Sequence, residues 1–520
     1  MGRVNLAKQR LNSAEPAVTT LRIDNPELLS LLSAIADVTE AASAHAWATG
    51  GLVRDLLAGR TVYDLDIAVD GDPLTLGPTL AEAAGGIYFA LQEERGQARV
   101  LLTGRGMHID LIPLRAPDIE ADLRLRDYTI DALAASLSEI RSGEVTLIDP
   151  TGGVGDIAAR VVRMTGEQQL QHDPLRMLRG ARIATQLSFA VEAETAEAIL
   201  RNAARLTEAA PERLRDEMVR IFSCENAGAG MRLLDELGLF SVLLPEMERT
   251  RGVEQPTNHH AYDVLGHSFA TVEALDMLLL DEPPGEAPMR EIWQELWADL
   301  AWCMELRDYF REEVTPGTTR RALLKFCGLL HDIAKPQTKS FEPSGRMRFF
   351  GHSDLGAEMA TALLRRLRFS SREVSGVAAM IDAHLRPMQL GQSGQPTRRA
   401  VYRFFRDTRG FGIDTLFLAM ADHLGSVGPR VTAESFEYHI ALTSYILHIR
   451  YSEEDTVISP KRIIDGDDLM AAFALQPGEL LGDLLEAVRE AQAAGEVGTR
   501  EQALELARAK LAEVAAAARQ

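Results

Sequence analysis

The chain has 520 residues, with 55 basic and 76 acidic side chains, a formal net charge of −21 and 46% hydrophobic residues, enough for about three or four domains of the usual size. Its three cysteines are far apart in sequence, which excludes a disulfide-stapled scaffold and a Cys-based zinc site and predicts a reducing, cytoplasmic location. No run reaches the roughly 18 apolar residues of a membrane span, so no membrane partner is expected, and the acidic balance argues against retention on nucleic acid by a diffuse positive field.

The first part of the chain mixes helical and strand periodicity. Residues 1–20 show neither period and are expected to form a flexible tail. A Gly-Gly pair at 50–51 predicts a turn between the first two helices. The predicted elements are a helix over 26–48, a short helix through Leu56, a strand over 63–69, and a hairpin of strands 99–102 and 107–113 around the turn 104–106.

Beyond Asp149 the strand signals fade, and helical spacing continues almost to the C-terminus. Turn-forming residues cluster near Gly153, near Arg251 and over 425–429, where we place domain boundaries. The predicted segments are a flexible tail (1–20), a mixed α/β head (21–155), a helical neck or body (156–250), a helical domain (251–430) and a helical tail (431–520). The domain 251–430 contains an insertion near 280–320, in which loops over 281–288 and 313–319 bracket a Trp-rich helix over 290–309.

Two aspartates in the first predicted strand form a candidate catalytic site. Asp64 and Asp66 are two residues apart, so strand alternation places both carboxylates on one face while Leu65 and Ile67 face the core. Paired carboxylates can hold Mg²⁺, which phosphoryl and nucleotidyl transfer use. Asp110, in the predicted hairpin, is the best candidate for a third carboxylate on an adjacent strand. The simpler alternative for an isolated Asp-x-Asp is a solvated strand edge.

A phosphate-binding turn is predicted just upstream of these aspartates. Gly50 and Gly51 have no Cβ, so their backbone amides can approach a phosphate closely. Arg54, on the helix that follows, can donate two hydrogen bonds to phosphate oxygens.

The order of these features resembles the head of the polymerase-β nucleotidyltransferase superfamily, and residues 50–69 are similar to the class II tRNA nucleotidyltransferase and bacterial poly(A) polymerase family. The resemblance implies an α+β, polymerase-β-like nucleotidyltransferase head followed by an all-α neck or body. Further segments resemble family motifs in the same order: 126–132 (RDYTIDA) its RDxTxNA, 149–156 (DPTGGVGD) its DPxGGxxD, 173–179 (DPLRMLR) its DPLRxLR, and 212–217 (ERLRDE) its ERxxxE.

Nucleotide-binding roles follow from the resemblance for the matching positions. Arg126 and Asp127 would hold sugar and phosphate. Asp173 and Arg176 would select the base, because a carboxylate accepts from the exocyclic amino group of C or A while a guanidinium donates to the ring acceptors. The simpler interpretation of Asp173 is a helix N-cap. Arg179, one turn later, would serve the triphosphate or form a salt bridge on the helix face.

The sequence also departs from the family pattern. His172 stands where Glu is usual, Asp131 replaces the usual Asn, and Leu125 replaces an Arg, which affects the expected ribose contacts. The connection from Arg115 to Arg126 is shorter than the flexible loop often present in members that add all three nucleotides. This difference weakens the assignment of full CCA addition relative to CC addition.

Histidines form a second cluster, since seven of the twelve lie between 259 and 423. His331 and Asp332 are adjacent at the end of an apolar helix and would point toward a common centre. Residues His259 and His260 are assigned to a loop, and any single histidine is more simply a core or surface residue. The set that together could bind two divalent ions is His267, His331, Asp332, His352, His384 and Asp422.

The ordered set resembles the HD phosphohydrolase superfamily with its complete binuclear pattern. It implies an all-α HD domain holding a divalent transition metal. HD domains are fused to some class II nucleotidyltransferases, where they are linked with phosphodiesterase or phosphatase activity on 2′,3′-cyclic phosphates and nucleotides. The implied architecture is head, neck or body, HD domain and helical tail.

Together the resemblances imply a template-independent enzyme that adds C and A to the 3′ end of tRNA from CTP and ATP, with Mg²⁺ at Asp64, Asp66 and Asp110 and a phosphohydrolase activity in the HD domain. CC-only, A-only and poly(A) addition are alternatives within the same fold. An HD phosphohydrolase whose head only binds RNA is the alternative from another class. The expected partners are the tRNA 3′ end, CTP and ATP, with a homodimer through the tail left open. Residues 156–232 carry 11 Arg and 11 acidic residues, a local charge of zero, so the acidic excess lies elsewhere.

Overall fold

A computed structural model describes residues 20–104, 106–257, 260–285, 289–299, 303–392, 394–428 and 432–517. The expected flexible tail lies outside these ranges except for Thr20, which begins the first strand. His259, Arg105 in the predicted hairpin turn, and 286–288 in a predicted loop also lie outside them. The chain divides into two compact units, residues 1–210 with 233–243, and residues 211–232 with 244–520.

Within the described residues, the first unit is built on an eight-stranded sheet with strand order β1-β8-β7-β2-β3-β6-β5-β4. Neighbouring strands are antiparallel except for β3 and β6, which run parallel. The strands are β1 (Thr20–Arg22), β2 (Ala46–Thr49), β3 (Asp64–Val69), β4 (Gly86–Gln92), β5 (Gln97–Leu102), β6 (Met107–Pro113), β7 (Ala134–Ser136) and β8 (Glu144–Ile148).

Helices fill most of the remaining chain. In chain order they are α1 (Pro26–Ala41), α2 (Gly51–Leu57), α3 (Pro73–Ala84), α4 (Ile119–Arg124), α5 (Gly153–Ala159), α6 (Glu167–His172), α7 (Leu175–Leu187), α8 (Ala193–Asn202), α9 (Pro211–Phe222), α10 (Ala227–Glu236), α11 (Phe240–Leu243), α12 (Pro245–Glu248), α13 (Val264–Leu278), α14 (Met289–Asp299), α15 (Cys303–Arg311), α16 (Arg320–Leu330), α17 (Lys335–Thr338), α18 (His352–Arg366), α19 (Ser371–Ala383), α20 (Arg386–Gly391), α21 (Arg398–Asp407), α22 (Gly412–Ser426), α23 (Ala433–Ser452), α24 (Gly466–Phe473), α25 (Glu479–Ala493) and α26 (Arg500–Ala517).

The two faces of the sheet differ in what covers them. On one face, Leu65, Ile67 and Ile109 are fully buried, and α3 packs against β4, β5 and β6. The opposite face carries the alternate residues of the same strands. There Ala68 is buried in a small cluster with Ile119 and Leu123 of α4, but Asp64, at the start of β3, is exposed. Among the described residues, this face is thus open at the predicted aspartates.

The structure corrects several predicted boundaries in the head. The first helix ends at Ala41 instead of continuing to residue 48. Ser43 has a left-handed φ of 57°, and the chain from Ala46 enters the sheet as β2. A left-handed residue cannot continue a right-handed helix, so the apolar run beyond it does not stay helical. The strand predicted over 107–113 is confirmed, and 63–69 begins one residue later, at Asp64.

The second unit is helical, and α13, α16, α18, α19 and α22 pack around its centre. Short hairpins interrupt it. They are β11 (Glu313–Thr315) with β12 (Thr318–Thr319), in the predicted loop 313–319, and β13 (Lys339–Phe341) with β14 (Met347–Phe349). In the first unit, β9 (Val161–Val162) pairs with β10 (Ala190–Val191). The uniformly helical pattern expected beyond residue 149 is therefore broken by these strand pairs.

Two further helical predictions have structural counterparts in the second unit. The Trp-rich helix expected over 290–309 is two helices, α14 and α15, with 300–302 between them outside the described ranges. The tail helices α24, α25 and α26 share a small core around Leu469, Leu484 and Ala503.

Candidate functional site

The predicted aspartates meet across two adjacent strands of the head. Asp66 on β3 pairs in register with Asp110 on the parallel strand β6, and Asp64 pairs with His108. Residues paired on neighbouring strands point to the same face. The Asp64 side chain is 66% exposed, whereas that of Asp110 is only 16% exposed. Burial raises the pKa of Asp66, Arg126 opposes that rise, and Asp110 adds to it. The arrangement brings the three predicted carboxylates into one region.

Two basic residues that the sequence analysis did not single out complete this face. Arg99 on β5 donates from Nε and Nη2 to the two carboxylate oxygens of Asp110, at 2.6 and 2.7 Å. His108 lies between the carboxylates, with Nδ1 3.2 Å from Asp64 Oδ1 and Nε2 3.7 Å from Asp110 Oδ2. Arg99 lies directly opposite Asp110 in the predicted hairpin, so the hairpin register was the signal for it.

The Gly-Gly turn lies against Asp66. Gly50 has a φ of +61°, and a Cβ there would be 3.0 Å from Arg126 Nη1 and 3.1 Å from Asp66 Oδ2. The backbone N–H of Gly51 donates to Asp66 Oδ2 at 3.2 Å. Glycine is therefore needed at position 50 for both the backbone conformation and the close approach.

Arg54 is buried and bonded to protein carboxylates. It donates from Nη1 to Asp131 at 2.7 Å and from Nε to Asp55 at 2.9 Å. Arg179 contacts the same group, with Nη2 3.2 Å from Asp131 and Nε 3.1 Å from Asp127. The phosphate contact expected for Arg54 stays a prediction that these partners do not favour. Arg179 pairs with carboxylates outside α7, not with a neighbour on the helix face, so its triphosphate contact stays a prediction.

Charge determines the protonation of this cluster. Burial favours the neutral form of Asp131, but the guanidinium groups of Arg54 and Arg179 outweigh burial and lower the pKa of Asp131 to about 2. Asp131 is therefore ionised near neutral pH. The family's usual Asn would leave these two cations without that negative charge.

Arg126 bonds the end of β2 to the segment that contains Asp131. Its Nη2 donates to Thr49 Oγ1 at 3.1 Å, and its Nη1 donates to the backbone carbonyl of Asp131 at 3.4 Å. Burial, the main effect, lowers the pKa of Arg126, and the charge of Asp122 opposes it. Asp122 also accepts a hydrogen bond from Arg115 Nε at 2.9 Å. This bond ties the beginning of the short connection between Arg115 and Arg126 to the part near its end.

The predicted base-selecting helix, α7, packs against Tyr128. The buried Tyr128 hydroxyl donates to the backbone carbonyl of Arg176 at 2.7 Å. A Cβ at Gly180 would lie 2.0 Å from that hydroxyl oxygen, so only glycine fits there. Asp173 Oδ1 accepts from the N–H of Leu175 at 3.2 Å, consistent with the helix-capping alternative. Arg176 donates from Nη1 to Gln169 Oε1 at 2.9 Å.

The six predicted HD residues come together in the second unit. Asp332 is central, with Oδ2 3.1 Å from His331 Nε2 and 3.4 Å from His267 Nε2. Its Oδ1 is 3.6 Å from His352 Nε2. Among the described residues, two groups of three have ligand atoms within 4.8 Å of one another, both containing Asp332: one with His267 and His331, the other with His352 and His384. Asp422 Oδ1 lies 2.9 Å from His267 Nε2.

The orientation of the imidazole rings suits metal binding. The Nδ1 atoms of His331, His352 and His384 lie 2.6 to 2.8 Å from backbone carbonyl oxygens. With each Nδ1 facing a carbonyl oxygen, each Nε2 faces the centre, as in most metal-binding histidines, and can bind a metal ion when it carries no proton. Among the described residues, His267 Nδ1 and Asp332 Oδ1 are buried without a hydrogen-bond partner. The donor set therefore fits divalent metal ions.

The pKa values of two of these histidines shift in opposite directions. Burial lowers the pKa of His384 to about 4, so its ring is neutral at physiological pH. Burial acts in the same direction on His331, but the carboxylate of Asp332 outweighs it and raises the pKa of His331 to about 10. Without metal, the cluster thus holds a proton beside Asp332, where the carboxylates favour positive charge.

A cavity of about 950 Å³ opens onto this centre. Lys335 reaches into the centre, with Nζ 2.6 Å from Asp332 Oδ2 and 2.7 Å from Gln255 Oε1. The β13–β14 hairpin contributes Arg346 and Arg348 to the cavity wall. The basic side chains that line the cavity and the volume of the cavity suit a phosphorylated ligand as large as a nucleotide. His260, assigned above to a loop, also lines this cavity.

Four family models match the chain. They are the poly(A) polymerase head domain over residues 46–163, the "Probable RNA and SrmB- binding site of polymerase A" over 188–250, the HD domain over 264–424, and tRNA nucleotidyltransferase domain 2 over 349–507. No described helix combines the length and apolar character needed to cross a membrane.

Curated relatives match most of the chain. An A-adding tRNA nucleotidyltransferase from Deinococcus radiodurans is 36% identical over 87% of this chain and 93% of the relative. A CC-adding tRNA nucleotidyltransferase from Thermus thermophilus is 33% identical over 88% of this chain and 92% of the relative. Among solved structures, a CCA-adding enzyme in complex with ATP shares the fold, with a TM-score of 0.59 and 19% identity over 95% of this chain and 100% of that one.

Proposed function

Because the chain belongs to the class II tRNA nucleotidyltransferase and poly(A) polymerase family with an HD domain, we propose that this tRNA nucleotidyltransferase adds part of the CCA sequence, either CC or the final A, to the 3′ end of tRNA. The substrates are then CTP or ATP and a tRNA lacking the nucleotides to be added. The bond formed joins the terminal 3′ oxygen to the α-phosphate, and pyrophosphate leaves.

The proposed catalytic residues are Asp64, Asp66 and Asp110. Mg²⁺ held by these carboxylates would neutralise triphosphate charge and stabilise the leaving pyrophosphate. Asp64 is the most accessible of the three, and Asp66 is held by the Gly51 amide. Arg99 orients Asp110 through two hydrogen bonds, so we assign it a positioning role. These contacts support a preorganised acidic face for nucleotidyl transfer.

Base selection is proposed to reside on α7. Arg176 lies on the first turn of this helix, and Asp173 lies just before it. The Tyr128 hydroxyl ties the backbone of Arg176 to the motif that contains Arg126 and Asp127. This connection supports a shared nucleotide site, with Arg126 and Asp127 near the sugar and phosphate.

The connection between Arg115 and Arg126 is the observation that favours partial addition. It is a short helical segment, α4, whose Asp122 accepts two hydrogen bonds from the Arg115 guanidinium, at 2.9 and 3.1 Å. This closed segment stands where members that add all three nucleotides often have a longer flexible loop. The full-length relatives named above, one A-adding and one CC-adding, favour the same conclusion over CCA addition by one enzyme.

Extension of three tRNA transcripts tests this proposal. The transcripts end before CCA, after C and after CC, and each is incubated with labelled CTP or ATP and Mg²⁺. We expect either CMP incorporation that stops after CC or AMP incorporation only on the transcript ending in CC. Complete CCA on the shortest transcript would contradict partial addition, and long A tracts would indicate a poly(A) polymerase.

A second activity is proposed for the HD centre, because its donor set and basic cavity suit a metal-dependent phosphohydrolase. The proposed ligands are the six residues His267, His331, Asp332, His352, His384 and Asp422, and the proposed substrates are nucleotides and 2′,3′-cyclic phosphates.

Phosphate release from 2′,3′-cyclic AMP, with and without added Mn²⁺, Ni²⁺ or Co²⁺, tests the proposed HD activity. We also expect these ions to raise the thermal unfolding midpoint of the wild-type protein but not of His352→Ala. Absence of both effects would contradict a metal-dependent HD activity.

A further inference from the structure

An exposed apolar surface lies beside the proposed catalytic carboxylates. Ile87 and Phe89 on β4 are 56% and 46% exposed, and Leu101 on β5 is 40% exposed. We call these three side chains the apolar strip. Grouped apolar side chains at a protein surface usually mark an interaction site. The strip also lies at the outer edge of the sheet, because β4 is its last strand.

Strand register places the strip on the same face as the carboxylates. Phe89 pairs with Arg99, and Arg99 pairs with Asp110. Asp110 in turn pairs with Asp66. Because directly paired residues share a face of the sheet, this row runs without interruption from an exposed aromatic ring to a catalytic carboxylate.

The neighbouring row repeats the pattern. Ile87 pairs with Leu101, and Leu101 pairs with His108. His108 pairs with Asp64. The residue between the two rows on β4, Tyr88, points the other way, since its ring packs against Gly77 of α3. The strip is therefore on the face that α3 does not cover.

The distance between the apolar strip and the carboxylates suits a short stretch of single-stranded RNA. Phe89 and Asp66 lie three strands apart, which corresponds to about 14 Å at the usual strand spacing. A stacked nucleic-acid strand advances about 3.4 Å per nucleotide. About four stacked nucleotides therefore span the distance from Phe89, and about three span the ~10 Å from Leu101, which lies two strands from Asp64.

We propose that the apolar strip is the surface on which the unpaired nucleotides at the 3′ end of tRNA stack while the terminal hydroxyl reaches Asp64 and Asp66. The activity of the family requires that this RNA end lie at the carboxylate face. Bases are the apolar part of an RNA strand, and they stack on exposed aromatic rings without sequence preference. The three side chains of the strip are apolar and so suit bases, and the neighbouring Arg99 is engaged by Asp110. The inference rests on the proposed catalytic role of Asp64 and Asp66.

Steady-state kinetics of Phe89→Ser test the proposal. We expect the KM for a tRNA substrate to rise about tenfold, because one stacking contact is lost. The KM for the nucleoside triphosphate and the thermal midpoint should not change, since Phe89 is exposed. Phe89→Trp should restore the wild-type KM for tRNA. Met304→Ser, at a 61% exposed apolar residue in the second unit, is the matched control and should behave as wild type.

Several outcomes would overturn the inference. One is an unchanged KM for tRNA in Phe89→Ser together with Leu101→Ser, and another is an equal rise in Met304→Ser. If the double variant instead converts a dimer to a monomer in size-exclusion chromatography with an unchanged KM, the strip is an interface with a second copy of the chain. Failure of the catalytic assignment is distinguishable, because Asp64→Ala would then still add nucleotides at the wild-type kcat.

Discussion

At the scale of single residues, the close approach of two backbone segments explains one glycine of the family motifs, Gly153. Gly153, in the segment DPTGGVGD, lies against the backbone of Thr129, where a Cβ would be 2.1 Å from the carbonyl oxygen. Asp149 accepts the Gly153 N–H at 2.8 Å and so holds the start of α5 in place. Gly155, two residues later on the same helix, has open space around it.

This difference gives a matched pair of substitutions. Gly153→Ala should lower the free energy of unfolding by about 1–3 kcal/mol, because backbone must move to admit the methyl group. Gly155→Ala should change it by less than about 1 kcal/mol. Urea unfolding of both variants measures the effects, and equal losses would show that the contact with Thr129 is not the cause.

The buried carboxylate of Asp131 gives a pH-dependent prediction. Burial acts against ionisation, but Arg54 and Arg179 lower its folded-state pKa to about 2, below the usual ~3.9 of an unfolded aspartate. Its stabilising contribution is thus complete above about pH 4 and is lost as the pH falls toward 2. Asp131→Asn should therefore cost about 3 kcal/mol at pH 7 and less at pH 3.

Urea unfolding of the wild type and Asp131→Asn at pH 7, 5 and 3 measures this difference. Glu208→Gln, which removes one partner of the exposed pair with Arg205, should have no measurable effect at any of these pH values. A penalty for Asp131→Asn that stays the same at pH 7 and pH 3 would show that its charge is not what stabilises the cluster.

At the scale of elements, helix ends position the HD ligands. His331 follows the last residue of α16, and His384 follows the last residue of α19. His267 lies in the first turns of α13, whose N-cap Asp263 accepts from the Gly266 N–H at 2.7 Å. Because several helices converge, residues separated by up to 155 positions in sequence reach one centre.

The start of α19, the helix that ends just before His384, is fixed by a capping box, and its contribution to stability can be tested. Ser370 accepts from the Glu373 N–H at 3.2 Å, and Glu373 accepts from the Ser370 N–H at 2.7 Å. Ser370→Ala should lower the free energy of unfolding by about 1 kcal/mol. Ser371→Ala, one residue further along the exposed start of the helix, should leave it nearly unchanged. Equal effects in denaturant unfolding would argue against the capping contribution.

At the scale of the whole molecule, the two proposed centres lie in different units, the aspartates in the first and the HD cluster in the second. Each centre has its own ligands and its own supporting contacts. We therefore expect the two proposed activities, nucleotide addition and HD hydrolysis, to be separable.

Separability predicts opposite effects of two substitutions. Asp64→Ala should abolish nucleotide addition and leave hydrolysis of 2′,3′-cyclic AMP unchanged, whereas Asp332→Ala should do the reverse. His331→Ala serves as a second HD variant, since loss of Asp332 leaves the buried Lys335 ammonium group without its carboxylate partner. Gel-based tRNA extension and phosphate release measure the two activities. Loss of both activities in either substitution, with the protein still folded, would contradict independent centres.

The sequence by itself determined the family of this protein and the candidate residues for its chemistry. The two-residue spacing of Asp64 and Asp66 and the hairpin around Asp110 predicted the acidic face, and the ordered histidines predicted the HD cluster. These signals were readable because strand alternation and motif spacing are local properties of a chain. The family motifs then connected the local chemistry to tRNA nucleotidyl transfer.

Only the tertiary structure decided how those residues are paired. Arg54 and Asp131 are 77 residues apart, and their contact assigns Arg54 to a buried ion pair that no local pattern predicts.

The strand β4 was not predicted from the sequence. Alternation of apolar and polar residues is the usual signal of a half-buried strand, and the exposed apolar side chains of β4 do not alternate with polar ones. Register across the sheet, a long-range property, then placed Phe89 in one row with Arg99, Asp110 and Asp66.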